Sequence, residues 1–124
     1  MRICIPTLGN KGLDEQIVEH FGYAPTFTIV DLETEKLEVI PNTSLHMDGS
    51  GYPPELIMQK KGVDIVICSN LGRRAVGMFE EFGVEVYIGA KGTVKDAIEM
   101  WKNNMLKMAT EKNACKQHAF RKRR

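Results

Sequence analysis

Cysteine is scarce in this sequence, and long apolar stretches are missing. Three cysteines in 124 residues are a small and odd number, which argues against a disulfide framework and fits a reducing cytoplasm. No apolar run approaches the ~20 residues that a membrane-spanning helix needs. The opening Met1–Pro6 is too short, and its continuation too polar, for a signal peptide. We therefore expect a cytoplasmic protein without a membrane partner.

Acidic side chains are missing from the last stretch of the chain. From Lys116 onward there are five basic residues and no acidic one, which leaves 12 basic against 16 acidic residues in the rest. A basic tail on an acidic body is not the profile of a domain whose folded face binds nucleic acid, so no specific nucleic-acid partner is expected. The tail alone could contact acidic partners weakly. We expect one folded domain over residues 1–108 and a basic, disordered tail over residues 109–124.

Alternating and continuous apolar patterns predict five strands. Arg2–Pro6 begins the chain as the first strand. Phe27–Leu32 and Lys36–Pro41 are two alternating runs joined by a short polar turn, which predicts an antiparallel hairpin. Asp64–Cys68 is a continuous apolar run, typical of a strand covered on both faces. Val84–Ile88 supplies the fifth strand.

Three helices are predicted in the second half. Pro53–Gly62 begins with prolines and ends at glycine, and Arg73–Phe82 has apolar residues at helical spacing. Thr93 caps the last helix, with Asp96 completing a capping box. The apolar stripe of that helix comprises Val94, Ala97, Ile98, Trp101, Met105 and, as a further candidate, Met108. Leu13–His20 fits either one helical turn or an extended crossing.

The order of these elements sets the predicted fold. A strand and a hairpin are followed by helix–strand–helix–strand–helix, which demands parallel pairing with right-handed crossovers. We predict an α/β, three-layer domain with helices on both faces of a five-stranded mixed sheet. The predicted strand order is 3-2-1-4-5, with strand 2 antiparallel.

Four short motifs follow one another along the chain at consistent spacing. They are Met1–Pro6, Val18–Phe27, Gly72–Ala75 after a buried strand, and Gly92–Ala97 at the start of the last helix. The most specific piece is the His-Phe-Gly-x-Ala-x-x-Phe stretch that begins at His20. Together these motifs resemble the dinitrogenase iron-molybdenum cofactor biosynthesis family.

The resemblance implies a ribonuclease-H-like fold. It also implies binding or carriage of an iron-sulfur-type metal cluster, namely the iron-molybdenum cofactor, its precursor or a related cluster. The chain would then be an accessory or assembly protein without catalysis of its own, and its partners would be cluster donor or acceptor proteins. A role in nitrogen fixation itself does not follow. The alternative is a regulatory or interaction module that binds a small anion or a protein partner and no metal.

Soft thiolate and imidazole donors are the side chains that a cluster requires. His20 is the first candidate because it precedes Gly22, where backbone can approach a guest closely; alternatively it only fixes a turn. His46 lies in a long, glycine-bearing loop and could reach the same site, or it is an ordinary solvated residue. Cys68 ends the central strand, where ligands of open α/β sheets gather, although cysteine is also a common core residue.

Other polar side chains are weighed against plainer roles. Arg73 and Arg74 follow Gly72 at the start of a helix and could hold an anionic cluster, a carboxylate or a phosphate, or simply be solvated. Cys4 lies in mid-strand and is expected in the core. Cys115 and His118 have a metal-chelating spacing, but one such pair is weak evidence because a structural zinc site needs about four ligands.

A nuclease hypothesis and a nucleotide-binding hypothesis both fail on the sequence. A nuclease of this fold would need clustered carboxylates for metal ions, and the first strand has Cys4 where one would be wanted. Gly89–Thr93 lacks the full spacing of a P-loop. We therefore predict no catalytic residues.

Overall fold

A computed structural model describes residues 1–42 and 61–110 of the chain. The strands are β1 (Arg2–Thr7), β2 (Thr26–Asp31), β3 (Leu37–Pro41), β4 (Ile65–Ile67), β5 (Glu85–Ile88) and β6 (Lys107–Ala109). The helices are α1 (Arg73–Glu81) and α2 (Val94–Lys102), and two short 3-10 turns cover Gly12–Asp14 and Phe21–Tyr23. The helix predicted from Pro53 onward lies almost entirely outside the described residues.

The strands form one mixed sheet in the order β3-β2-β1-β4-β5-β6. β2 runs antiparallel to both β1 and β3, whereas β1, β4 and β5 are mutually parallel. In register, Cys4 of β1 lies opposite Ile29 of β2 and Val66 of β4. The predicted order 3-2-1-4-5 with an antiparallel strand 2 is confirmed for the first five strands.

The prediction of five strands is wrong, because β6 adds a sixth that pairs antiparallel with β5. Helix α2 ends at Lys102, and Asn104 adopts a left-handed backbone conformation with φ 59° that turns the chain back. Met105 and Met108, assigned by spacing to the helix stripe, are 65% and 43% exposed. Their spacing continued the helical pattern by coincidence, whereas Leu106 packs against the buried cluster beneath α2.

Alternation along the central strands divides the core into two layers. Ile3 of β1 and Ile65 of β4 belong to the buried cluster on the α2 face of the sheet. Cys4 and Val66, their neighbours in sequence, belong to the cluster on the α1 face. Successive side chains of a strand point to opposite faces, so a continuous apolar run supplies both layers, as predicted for Asp64–Cys68.

The two helices cover opposite faces of the sheet. α1 buries Val76 and Phe79 in one cluster, and α2 buries Ala97 and Ile98 in the other. The predicted capping box of α2 is present, with the Asp96 amide donating to Thr93 Oγ1 at 3.2 Å and Thr93 N donating to Asp96 Oδ2 at 3.0 Å. Helices on both faces are therefore confirmed.

No helix of the described segments combines the length and the apolar character required to cross a lipid bilayer.

Candidate functional site

The segment after β1 is held along the carboxyl edge of the sheet by backbone hydrogen bonds. Val18 N donates to Pro6 O at 3.1 Å, which ties the segment back to its own strand. Ile17 N donates to Gly92 O at 3.0 Å, and Val94 N donates to Glu15 O at 2.9 Å. Of the two predictions for Leu13–His20, an extended crossing describes it better, since its helical content is limited to the 3-10 turn at Gly12–Asp14.

This crossing places His20 beside Asn70, three residues after the end of β4. His20 forms an isolated parallel bridge with Asn70, so the two backbones are paired beyond the carboxyl ends of β1 and β4. The chain leaves β1 toward β2 and leaves β4 toward β5, so the strand order reverses between β1 and β4. Open α/β sheets gather ligands beyond the carboxyl ends of strands at such a point. The His20 side chain is exposed, and the ring of Tyr23, itself 78% exposed, stands edge-on to it at 6.4 Å.

The residue after His20 anchors the loop in the core. Phe21 is 3% exposed, and its ring lies 4.8 Å from that of Phe27 and 5.7 Å from that of Phe79. The last contact is edge-to-face, a favoured aromatic geometry. The Phe21 ring therefore fixes the loop on the α1 face of the sheet, while the neighbouring His20 side chain is exposed.

A buried amide completes the support of this loop. Asn42, 1% exposed, donates from Nδ2 to Gly22 O at 3.1 Å and to Ala24 O at 2.8 Å. Its backbone N donates to Pro25 O at 3.0 Å. The end of β3 and the loop that carries His20 are therefore joined by three hydrogen bonds.

Two glycines, one in this loop and one before α1, have no crowding neighbours among the described residues. A Cβ added at Gly22 or at Gly72 would meet no described atom within 4 Å, and neither residue has a positive φ. Neither backbone conformation nor packing among the described residues therefore requires glycine there. Gly72 is the N-cap of α1 and has no side chain to cap it, and the exposed Arg73 and Arg74 follow at once. The first turn of a helix favours negative charge through its unpaired amides and dipole.

The two described thiols lie beneath this edge rather than on it. Cys68 and Cys4 are both 0% exposed and belong to the cluster on the α1 face. Cys68 Sγ lies 3.9 Å from Tyr87 O. Burial, and then the neighbouring Cys68, raise the pKa of the Cys4 thiol well above its ordinary value, so this thiol stays protonated and the prediction that Cys4 is a core residue is confirmed.

A shallow groove continues the carboxyl edge toward β5. Its volume is about 390 Å³. It is lined by Gln16, Ile17, Glu19, Ser69, Gly89, Ala90, Lys91 and Gly92. Ser69 Oγ donates to Ala90 O at 2.6 Å and so joins the turns after β4 and β5.

The predicted site residues are brought together only in part. His20 lies by Asn70, three residues before Arg73 and the start of α1, and Cys68 is buried next to this segment. His46, Cys115 and His118 lie outside the described residues. Within residues 1–42 and 61–110, no three His, Cys, Asp or Glu side chains gather as a metal-ion site would require.

Three residues of this region were not predicted from the sequence. Asn42 looked like an ordinary turn residue after a strand, and its burial depends on a loop about 20 positions away. Asn70 contributes its backbone to the bridge with His20, which leaves no side-chain signature. Tyr23 falls within the most specific motif, so its exposed ring could have been singled out there.

The fold and this edge define a class: a small α/β domain with a mixed sheet and a loop-built candidate site at its carboxyl edge. The family model described as dinitrogenase iron-molybdenum cofactor matches residues 1–104. The chain belongs to this family, as its four motifs predicted. The ribonuclease-H-like label stays a prediction.

Several known proteins are similar to this chain. An uncharacterised protein of Methanocaldococcus jannaschii is 28% identical over 105 residues, which are 82% of this chain and 85% of that protein. A solved structure of a putative NifB protein from Thermotoga is 35% identical, with a TM-score of 0.70 over 86% of this chain and 90% of that one. The apo form of the orange protein from Desulfovibrio gigas is 25% identical, with a TM-score of 0.76 over 87% and 92% of the two chains.

Proposed function

We propose that this protein binds or carries an iron-sulfur-type metal cluster, either the iron-molybdenum cofactor, its precursor or a related cluster. In this proposal it acts as a cytoplasmic accessory or assembly protein, without catalysis, and exchanges the cluster with donor and acceptor proteins. Family membership over residues 1–104 supports a cluster-related role. The similarity to a putative NifB protein points the same way.

The observation that carries the proposal is an exposed imidazole on a hydrogen-bonded loop at the carboxyl edge of the sheet. His20 is held by its backbone bridge to Asn70, while Gly22 and Gly72 lack described neighbours where a side chain would stand. An imidazole on a firmly held loop is a suitable ligand for iron in a cluster.

Charge at the start of α1 suits an anionic guest. Arg73 and Arg74 are exposed in the first turn of a nine-residue helix. Guanidinium groups and free first-turn amides both attract negative charge. In the proposal, His20 is the principal ligand, the arginines hold the charge of the cluster, and His46 is a further candidate ligand.

Cys68 takes a lower place among the candidate ligands than His20. Its thiol is fully buried in the α1-face cluster, so it would reach a cluster only if the residues that cover it moved. Cys4 is an equally buried thiol in the same cluster and provides a matched control. The two cysteines can therefore be compared without a difference in burial.

Anaerobic reconstitution tests the proposal. Purified protein is given ferrous iron and sulfide, and bound iron and the visible charge-transfer absorption are measured. We expect the wild type to take up a cluster, His20→Ala to lose most of the uptake, and Cys68→Ala to lose more than Cys4→Ala, with unchanged circular dichroism in all cases. A wild type that binds no iron and develops no absorption would rule the proposal out.

The arginine pair at the start of α1 also favours the alternative, a metal-free module that binds a small anion or a protein partner. A small anion would need Arg73 and Arg74 but not His20. If phosphate or a carboxylate binds in isothermal titration, and His20→Ala leaves that binding intact while iron uptake is absent, the alternative replaces the cluster proposal.

A further inference from the structure

We propose that Asn42 is a positioning residue of the cluster site, which sets the loop that carries His20; this inference rests on the proposed function. Asn42 follows β3 directly and lies outside every motif that identifies the family. Its role is inferred from its hydrogen bonds to the loop at residues 22–25.

The first step is the burial of a polar side chain with its donors engaged. The Asn42 side chain is 1% exposed, and its Nδ2 donates to Gly22 O and Ala24 O. A buried amide that lost these acceptors, or carbonyls that lost this donor, would be left unsatisfied at considerable cost. The position therefore demands a side chain that donates two hydrogen bonds.

The second step is the place of these two carbonyls in the loop. Gly22 and Ala24 flank Tyr23, whose amide donates to His20 O at 3.1 Å. The Ala24 amide donates to Phe21 O at 3.3 Å. His20 is the N-cap of this 3-10 turn. Hydrogen bonds that fix the carbonyls of the turn therefore also fix the direction in which the His20 side chain leaves the backbone.

The third step separates this role from that of the core. Phe21 anchors the loop by packing against Phe27 and Phe79, and apolar packing is non-directional. Asn42 holds the turn through hydrogen bonds, which are directional. Since metal ligands need orientation by a surrounding shell of hydrogen bonds, Asn42 is the residue that sets orientation at this site.

Asn42→Asp is the sharpest test, because it keeps the volume of the side chain while replacing both donors by a carboxylate that faces two carbonyl oxygens. Asn42→Ala removes the donors without burying a charge and serves where the aspartate variant does not fold. Thr28→Val is the matched control: Thr28 is also fully buried and polar, and its hydroxyl lies 3.0 Å from that of Thr7, away from the His20 loop.

Cluster affinity is measured after reconstitution with ferrous iron and sulfide, together with amide hydrogen exchange at Tyr23 and Ala24. We expect the Asn42 variants, which lose both side-chain hydrogen bonds, to lower affinity by about tenfold and to speed exchange at both amides. Thr28→Val is expected to change neither. In His20→Ala protein, adding Asn42→Asp should cause no further loss, because the residue acts through His20.

Two outcomes would overturn this inference while leaving the proposed function intact. The first is a wild-type cluster affinity in both Asn42 variants. The second is a loss of affinity from Asn42→Asp that is as large in His20→Ala protein as in the wild type. A wild type that takes up no cluster is a different result, since it removes the proposed function and this inference with it.

Discussion

Truncation of Phe21 should reveal how strongly the core holds the loop that bears His20. The ring is 3% exposed and makes two aromatic contacts, with Phe27 at 4.8 Å and with Phe79 at 5.7 Å. Phe21→Leu keeps most of the apolar volume but loses both contacts, each worth about 0.5–1.5 kcal/mol. We therefore expect a loss of about 2 kcal/mol in the free energy of unfolding. Phe21→Ala should lose about 3–5 kcal/mol because it also leaves a cavity.

Urea unfolding followed by circular dichroism measures these losses, and a thermal scan should show a fall of roughly 10 °C in Tm for Phe21→Leu. Tyr23→Leu is the matched control, since this aromatic residue of the same turn is 78% exposed and should change stability by less than about 0.5 kcal/mol. A double-mutant cycle with Phe79→Leu should return a coupling of about 0.5–1.5 kcal/mol. Equal stability of Phe21→Leu and the wild type would refute the assignment of Phe21 as the loop anchor.

Two further predictions concern acid stability and the open space of the site. The Lys61 ammonium lies 2.5 Å from Glu38 Oε2, and together with the nearby Arg2 it lowers the pKa of Glu38 from its ordinary 4.5. The stability that the ionised Glu38 contributes is therefore present above pH 4.5 and is lost as the pH falls through the lowered pKa. The stability gap between wild type and Glu38→Gln, small because the pair is partly exposed, should be present at neutral pH in urea titrations and vanish in strong acid; a gap that persists in acid contradicts the ion pair as its source. Gly22→Leu should have a free energy of unfolding within about 0.5 kcal/mol of the wild-type value, as is usual for surface substitutions. It should nevertheless take up less iron in reconstitution, because the new side chain would enter the proposed site. Gly22→Ala should show a smaller effect, and full uptake by the leucine variant would mean that Gly22 does not border the site.

Local patterns were enough to predict most of the scaffold. The apolar runs around Val66 and Ile29 predicted their strands because both strands are buried on two faces, and such burial leaves a direct mark on residue order. Thr93 and Asp96 predicted the start of α2 because a capping box is a local device. β6 was missed since Met105 and Met108 continued a helical spacing, while the turn depends on a left-handed Asn104 that other residues rarely favour.

The site was less predictable than the scaffold because its contacts are distant in sequence. The motif pointed to His20, but the pairing of its backbone with Asn70 spans 50 positions and involves no side-chain pattern. The position of Cys68 at a strand end was compatible with a ligand role and with a core role, and only the structure shows that the side chain is buried. Asn42 gave no signal at all, since a buried amide and a turn amide look the same in sequence.

The most direct test of the account is where a bound cluster lies. Amide resonances of isotope-labelled protein are compared before and after anaerobic reconstitution, because a paramagnetic cluster broadens the signals of nearby nuclei. We predict broadening at residues 19–23 and 70–74 and unchanged signals for Glu33 and Thr34, which lie at the opposite edge of the sheet beyond Asp31. Broadening confined to that opposite edge, or an unchanged spectrum with no iron bound, would contradict a cluster site built around His20.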